Sequence, residues 1–578
     1  MFKISITRHL LIASSLALLL AACDQAPTTA APTAESEPVS SQRLGSKNDK
    51  SAIDIAALQI EEVGFMQHVN ILASDEFEGR APSTEGGRKT VEYLEAQFAA
   101  LGLEPGFGDS YRQAVALIEQ TVINEPGLTI ANQDGSSETL AYKDNTILWT
   151  TRVGEAANLD NSDLVFVGYG VVAPEFGWDD YAGIDMAGKT AVILVNDPGF
   201  RNPGGELFKG NTMTYYGRWT YKFEEAAKQG AAGAIIVHET KAAGYPWEVV
   251  SGSWSGAQYM LFTQDGNQGR VAVEGWITQT AAESLFAKSD LDYQAMVKAA
   301  GVQGFKPVSL TSKASASLSN TSRQSTSYNV AGLIKGSQRP EELFIYTGHW
   351  DHLGVKPVEG SQDVIFNGAQ DNATGVAALL EMAQAYTVLP SALERSVMFL
   401  AVTAEESGLL GSAQYAANPA FPMAKTVAGV NMDSLPTAGA TDDVVVVGFG
   451  NSEMDSYLKA VTDTQNRVLV QEPTPEKGFF YRSDHFNLAK KGVPMLYAKA
   501  GQSIRGKPAG YGKAEAERYV AQRYHKAGDE VHPEWDNGGI MQDVEAFFKI
   551  GVAISDSNDW PKWAEGNEFQ AIREASQQ

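Results

Sequence analysis

Cysteine is almost absent from this chain: Cys23 is the only one in 578 residues. A body folded from the residues after it has no internal disulfide, no thiolate metal ligand and no thiolate nucleophile. Any metal must be held by His, Asp and Glu. Histidine is scarce as well, with eight in the chain. Basic residues are outnumbered, 45 against 70 acidic, giving a net charge of −25. A surface that acidic repels phosphate backbones and argues against nucleic acid as a partner. Nucleotide fingerprints are missing: Gly168 and Gly170 in VGYGVV do not complete a dinucleotide motif, and there is no P-loop. No internal repeat is visible, and no apolar run after residue 23 is long enough to span a bilayer.

What is present reads as globular, with 43% hydrophobic and 20% charged residues and length for two to four domains. The first residues stand apart. Lys3 and Arg8 precede an apolar stretch from Leu10 to Ala22 that ends in small residues before Cys23. This segment resembles a bacterial lipoprotein signal, with Leu20-Ala21-Ala22-Cys23 as the lipobox; an ordinary secretory signal with a chance cysteine is the alternative. The resemblance implies removal of residues 1–22 and a lipid on Cys23. It also implies a membrane-anchored protein of the bacterial envelope, facing the periplasm or the exterior. Residues 23–50, rich in Ala, Pro, Thr and Ser, are expected to be a flexible tether.

The body divides by pattern. Residues 51–139 open with helical spacing in IAALQIEEVGFMQHVNILAS and GGRKTVEYLEAQFAALGL, the second stopped at Gly102. Between 140 and 312, short apolar strands (LVFVGYGVV, TAVILVND, GAIIVHE, RVAVEGWI) alternate with Gly- and Pro-rich turns. Its GKTAVILV and KFEEAAKQGAAGAIIV resemble the protease-associated domain, a smaller β-rich module inserted into peptidases. From 313 to 578 the pattern becomes α/β. The strands ELFIYTGH, SVMFLAVTAEE, VAGVNMD, DVVVVGFG and VPMLYA are separated by helices such as ATGVAALLEMAQAY. This predicts a mainly parallel mixed sheet with helices on both faces.

Polar residues follow the strands. LFIYTG leads to His349 and Asp351, VMFLAVTA to Glu405 and Glu406, and VAGVNM to Asp433. Ligand sites in open α/β sheets gather at the carboxyl ends of strands. Asp371 lies in the loop NGAQDNATG, and YHKAGDE supplies Tyr524, His525 and Asp529. His349, Asp371, Glu406, Asp433 and His525 form an N/O donor pool suited to zinc. If one carboxylate bridges, two ions each receive three protein ligands, and Glu405 is left to manage the proton. Each residue also has a structural reading. Glu405 and Glu406 suit a helix N-terminus, and Asp371 suits a turn or cap.

GHWDH, GAQDNATG, TAEESGLLGS, NMD and YHKAGDE, in that order, resemble the co-catalytic zinc exopeptidase family of bacterial double-zinc aminopeptidases and glutamate carboxypeptidase. The resemblance covers about 200 residues and implies the zinc exopeptidase fold with two zinc ions per chain. It implies that Asp371 bridges the ions, with His349 and Asp433 completing one site and Glu406 and His525 the other. Glu405 is implied as general base, Asp351 as the group orienting the His349 ring, and Tyr524 as a donor to the oxyanion. His352 has no assigned role, and Gln370 stands where many relatives carry Asp. In YRSDHFNLAKKGVP, Ser483 or Asp484 reads equally as a helix cap or as part of a region near the substrate pocket. Arg482 and Arg505 are candidate carboxylate anchors, and His238 and His532 read as structural.

The expected function is a zinc-dependent exopeptidase, an aminopeptidase acting on peptide or protein substrates. A carboxypeptidase, a single-zinc cyclotransferase and a metal-free binding protein such as the transferrin receptor are the alternatives.

Overall fold

The computed structural model describes residues 48–578 except 203 and 359. Cys23, the signal and most of the tether lie outside the described residues. Leu343–Ile345, Val397–Val402 and Val427–Val430 carry no polar side chain. Only a strand buried on both faces suits such a run. Each lies in a strand, Arg339–His349, Arg395–Val402 and Thr426–Asn431, and Met495–Ala500 is a fourth. Arg339–His349 is parallel to Arg395–Val402 on one side and to Thr426–Asn431 on the other. Met495–Ala500 adds in parallel beyond Thr426–Asn431. The strands flanking these four are antiparallel to them: Val308–Ile334 borders Arg395–Val402, and Asp443–Val446 borders Met495–Ala500. The mainly parallel mixed sheet expected from the sequence is the one observed.

Side-chain alternation divides the core. Phe344, Tyr346, Phe399 and Ala401 pack on one face with the helices Glu62–Leu72, Thr374–Thr387 and Gly538–Ser555. Leu343, Ile345, Met398 and Leu400 pack on the other with Tyr415 of Leu410–Ala417 and Leu488 of His485–Ala489. Burial of one such side chain stabilises by about 1.5–3 kcal/mol. A register slip by one residue would exchange the two sets and misfit both faces, so the register is fixed. The strand ends that carry the polar residues are fixed with it.

A second sheet runs through Ala156–Phe166, Thr190–Leu194, Gly233–His238 and Val273–Thr278, all parallel at their junctions. Thr146–Trp149 is antiparallel to the last of these. Leu128–Ala131 and Ser137–Leu140 also belong to it. Helix Trp219–Lys228 covers one face with Phe223 and Ala226; Gln279–Ala287 and Tyr293–Ala300 cover the other with Leu285, Phe286 and Val297. The 27-residue strand Val308–Ile334 joins the sheets. Its first part pairs with Ala156–Phe166, and its later part pairs with Arg112–Val122 and Arg395–Val402. Among the described residues no helix is long and apolar enough to cross a membrane.

Candidate metal centre

The carboxyl ends of the parallel strands open at one edge, and the polar residues gather there. His349 ends its strand and is buried; Glu405 and Glu406 follow Arg395–Val402, and Asp433 follows Thr426–Asn431. Asp371 lies in the turn Ala369–Ala373 that enters helix Thr374–Thr387. His525 comes just past helix Tyr511–Gln522. Non-glycine residues with positive φ flank these positions: Ala404 (53°) before Glu405, Ser434 (53°) after Asp433, and His525 itself (56°). Each such residue costs about 1 kcal/mol or more, which the packed surroundings must offset. Gly368, at φ 60°, has no room for a side chain: a Cβ would lie 2.4 Å from the Asp371 carbonyl oxygen and 2.5 Å from His352 Cγ.

Two groups of donor atoms share Asp371. His349 Nε2 is 3.2 Å from Asp371 Oδ1 and 3.5 Å from Asp433 Oδ1. His525 Nε2 is 3.3 Å from Asp371 Oδ2 and 3.1 Å from Glu406 Oε2. Donors around one tetrahedral zinc, with bonds of 2.0–2.2 Å, lie about 3.4 Å apart. The donor set fits a cation on this measure. It fits on a second one too: His349 Nε2 is buried with no hydrogen bond. His349 Nδ1 lies 3.1 Å from the Asp351 carbonyl oxygen. A carbonyl only accepts, so Nδ1 carries a proton, and Nε2, directed at the carboxylates, is the nitrogen that must give up its proton for a cation to bind.

The ring contact expected of the Asp351 carboxylate is thus made by its backbone carbonyl. The carboxylate, 4.0 Å from Nδ1, accepts instead from the Glu405 amide at 3.1 Å, because the chain turns at once after His349 and brings the two loops together. Tyr524 is 41% exposed and its ring stacks on His525 at 3.9 Å. Asp484 does not cap helix His485–Ala489; its Oδ1 accepts from Ser412 Oγ at 2.6 Å. Arg505 pairs with Asp442, and the Arg482 guanidinium lies over the Phe479 ring. Trp350 is fully buried and donates to the Tyr328 carbonyl, and His238 and His532 contact the carbonyls of Tyr245 and Gly528.

Three residues without a role in the sequence reading hold the site together. Arg80 is fully buried and donates to four carbonyls: Trp350 (2.8 Å), Leu72 (2.6 Å), Asn367 (2.5 Å) and Gly368 (2.7 Å). Asp529 accepts from the amides of Gln370 (3.1 Å) and Asp371 (3.0 Å), so the amide of Gln370, and not its side chain, makes that contact. His352 Nδ1 donates to Glu406 Oε1 at 2.7 Å, which leaves Oε2 facing His525. Sequence offered a signal only for His352, as the second imidazole of GHWDH. Arg80 is remote in sequence, and buried arginines are rare enough that it would be read as a surface residue.

Carboxylates dominate the electrostatics. Two of them 4 Å apart repel by about 4 kcal/mol at an effective dielectric of about 20. Burial would lower His349, but Glu405, Asp371 and Asp433 outweigh it and raise the imidazole well above its usual value. Burial likewise opposes His525, yet Glu406 and Asp371 raise it to about 10. Glu405 is raised well above an ordinary carboxyl, by burial first and then by Asp433, Glu406 and Asp484, with His349 opposing. Arg80 is lowered to about 10 by burial, against the pull of Asp529, Asp351, Asp371 and Glu406, and remains a cation at neutral pH.

Two outcomes follow from this geometry. Without a cation both His349 and His525 hold protons at pH 7, and metal binding needs the neutral rings. Zinc loading should therefore release protons, and zinc affinity should rise with pH from 6 to 9; calorimetry in two buffers of different ionisation enthalpy measures both, and loading without proton release would contradict the arrangement. Arg80→Met should strand four buried carbonyls and destabilise the metal-free protein by roughly 3 kcal/mol or more in urea unfolding, with Arg80→Lys intermediate.

Residues 329–548, less than half of the chain, match Peptidase family M28. A probable zinc metalloprotease of Pyrenophora tritici-repentis is 26% identical over 193 residues, 32% of this chain and 40% of that protein. The aminopeptidase YwaD of Bacillus subtilis is 35% identical over 92 residues, 16% of this chain and 17% of that protein. The chain thus spans two fifths or less of the length of these relatives. Among solved structures, an aminopeptidase from Aneurinibacillus sp. strain AM-1 aligns over 87% of this chain and 95% of its own, at 20% identity and a TM-score of 0.46. The segment that matches the peptidase family contains every candidate ligand, from His349 to His525.

Proposed function

We propose that this protein is a zinc-dependent exopeptidase, an aminopeptidase that removes residues from the free amino terminus of peptides. The observation that carries the reading is the two-sided use of Asp371, with one carboxylate oxygen facing His349 and the other facing His525. Asp371 would hold two zinc ions, with His349 and Asp433 on one and Glu406 and His525 on the other. Bound there, the ions would supply a hydroxide at neutral pH and polarise the scissile carbonyl. Glu405, raised by burial and its acidic neighbours, takes a proton from the attacking water and returns it to the leaving amine. The Asp351 carboxylate, through the Glu405 amide, fixes the backbone from which that base projects. Tyr524 stands on the exposed side of His525, where its hydroxyl would donate to the oxyanion. The name of the Bacillus subtilis relative supports the choice of aminopeptidase.

We also propose that residues 140–312 are an inserted protease-associated domain, and that a lipid on Cys23 holds the protein to a membrane of the bacterial envelope. Cys23→Ser should release the protein from membranes without loss of peptidase activity. Retention on membranes after a salt wash would sink the anchor.

The activity is tested with aminoacyl reporter amides against amino-blocked peptides, with and without zinc. Only the unblocked substrates should turn over, and chelation should abolish turnover. Glu405→Gln should keep its metals and lose on the order of 10²–10⁴ in kcat. Glu406→Gln should instead bind zinc more weakly and recover in part with excess zinc. Zinc rescue of Glu405→Gln would exchange the two roles.

A further inference from the structure

A cavity of about 230 Å³ lies where the loop holding Lys209, Thr212 and Met213 meets the segments around Phe449, Glu472 and Phe480. The two walls are joined by backbone, the Met213 amide donating to the Pro475 carbonyl at 3.2 Å. The volume is below the range of about 300–1,000 Å³ usual for drug-sized ligands and suits one side chain or a small amine. None of the residues that line it belongs to the metal centre.

Two buried carboxylates stand at this junction, and they are treated differently. Glu568 receives Lys209 Nζ at 3.1 Å and Tyr481 Oη at 2.6 Å. Burial would raise it, but Lys209 and Tyr481 prevail and hold it below an ordinary carboxyl. Lys209 is thereby engaged and also reaches Asn451 Oδ1 at 3.4 Å. Glu472 is 7% exposed and has one contact, from the Gly448 amide to Oε1 at 3.2 Å. Its Oε2 is buried with no hydrogen-bond partner. Burial pushes Glu472 up to about 7, against the Gly448 amide and Lys499, with Glu476 adding to the rise. A buried carboxylate with a free oxygen is costly unless a donor reaches it. The donors on the cavity wall do not bond Oε2, Lys209 and Tyr481 being turned to Glu568, while the Phe449, Met213 and Phe480 side chains offer apolar cover for an alkyl stem.

We propose that this cavity is a binding site for a cationic alkylamine, anchored by Glu472 and sleeved by Met213, Phe449 and Phe480. The same chemistry reaches the protein from two sources: the basic side chain of a peptide substrate, or a free small amine. The first source rests on the exopeptidase reading, and the second does not.

The test titrates the full chain with n-butylammonium and with the neutral n-butanol, read by calorimetry. Saturable binding of n-butylammonium and none of n-butanol is expected. Glu472→Gln, checked for an unchanged unfolding midpoint, should weaken that binding about tenfold or more, since a charge-assisted hydrogen bond is lost. Absent binding, equal binding of the alcohol, or equal binding to a folded Glu472→Gln overturns the proposal. Calorimetry needs no turnover, so this failure is distinct from a failure to hydrolyse any aminoacyl amide. A second arm separates the sources. If the amine is the substrate's side chain, Glu472→Gln lowers the lysyl-to-leucyl ratio of kcat/KM about tenfold and n-butylammonium competes with the lysyl substrate. If it is a free amine, n-butylammonium binds while that ratio stays unchanged.

Discussion

Four carbonyl oxygens from three parts of the chain converge on the Arg80 guanidinium, and the metal centre depends on that convergence. The Trp350 carbonyl lies between His349 and Asp351, and the Asn367 and Gly368 carbonyls lead into Asp371. The fourth, of Leu72, ends the helix Glu62–Leu72. Only a planar fork with five donors serves so many acceptors at once, and only a group that resists deprotonation stays charged when fully buried. Arg80 therefore does two things that a lysine or glutamine would split. It holds two ligand-bearing loops at a fixed separation, and it places a permanent positive charge behind Asp351, Asp371, Glu406 and Asp529.

The same loops are tied from the opposite end of the chain. Asp529 binds the amides of Gln370 and Asp371 through its carboxylate and that of Ala369 through its carbonyl. The Asp371 carboxylate presents one oxygen to His349 and the other to His525, and its backbone is pinned on both sides, by Arg80 through Gly368 and by Asp529 directly. His352 does the equivalent for Glu406, where one oxygen is occupied by the imidazole and the other is aimed at His525. Supporting groups of this kind govern how tightly and how rigidly ligands hold a metal.

The sequence was most legible where one physical rule acted alone. Apolar runs such as Leu343–Ile345 and Val397–Val402 had to be buried on both faces, and the candidate ligands had to follow them at the strand ends. Helix Glu85–Ala100 was readable for the same reason, and Gly102, at φ 74°, marks its stop. The long strand Val308–Ile334 was not, because its inner half reads Ser-Lys-Ala-Ser-Ala-Ser-Leu-Ser-Asn-Thr-Ser, a composition typical of loops. Its alternation of buried and exposed residues has period two, but small residues carry the buried side and give little hydrophobic contrast. Arg80 and Asp529 escaped for another reason. They act through backbone amides and carbonyls, which have no residue identity to read.

Exposure is graded across the site and gives it a direction. The side chains of His349, Asp371 and Glu406 are 1%, 4% and 6% exposed, that of Asp433 is 13% and that of His525 is 39%. The rear of the centre is thus sealed by the sheet, Arg80 and the helix Thr374–Thr387, while the front is bounded by His525 and the Tyr524 ring stacked on it. Burial strengthens every charge interaction at the rear, where the geometry must not change. The open front is the side of the site that solvent reaches. His525 suits both demands because its segment is anchored at one end by the buried Asp529 and reaches solvent at the other. A side chain placed there is held by the fold and is still the most exposed of the five candidate ligands.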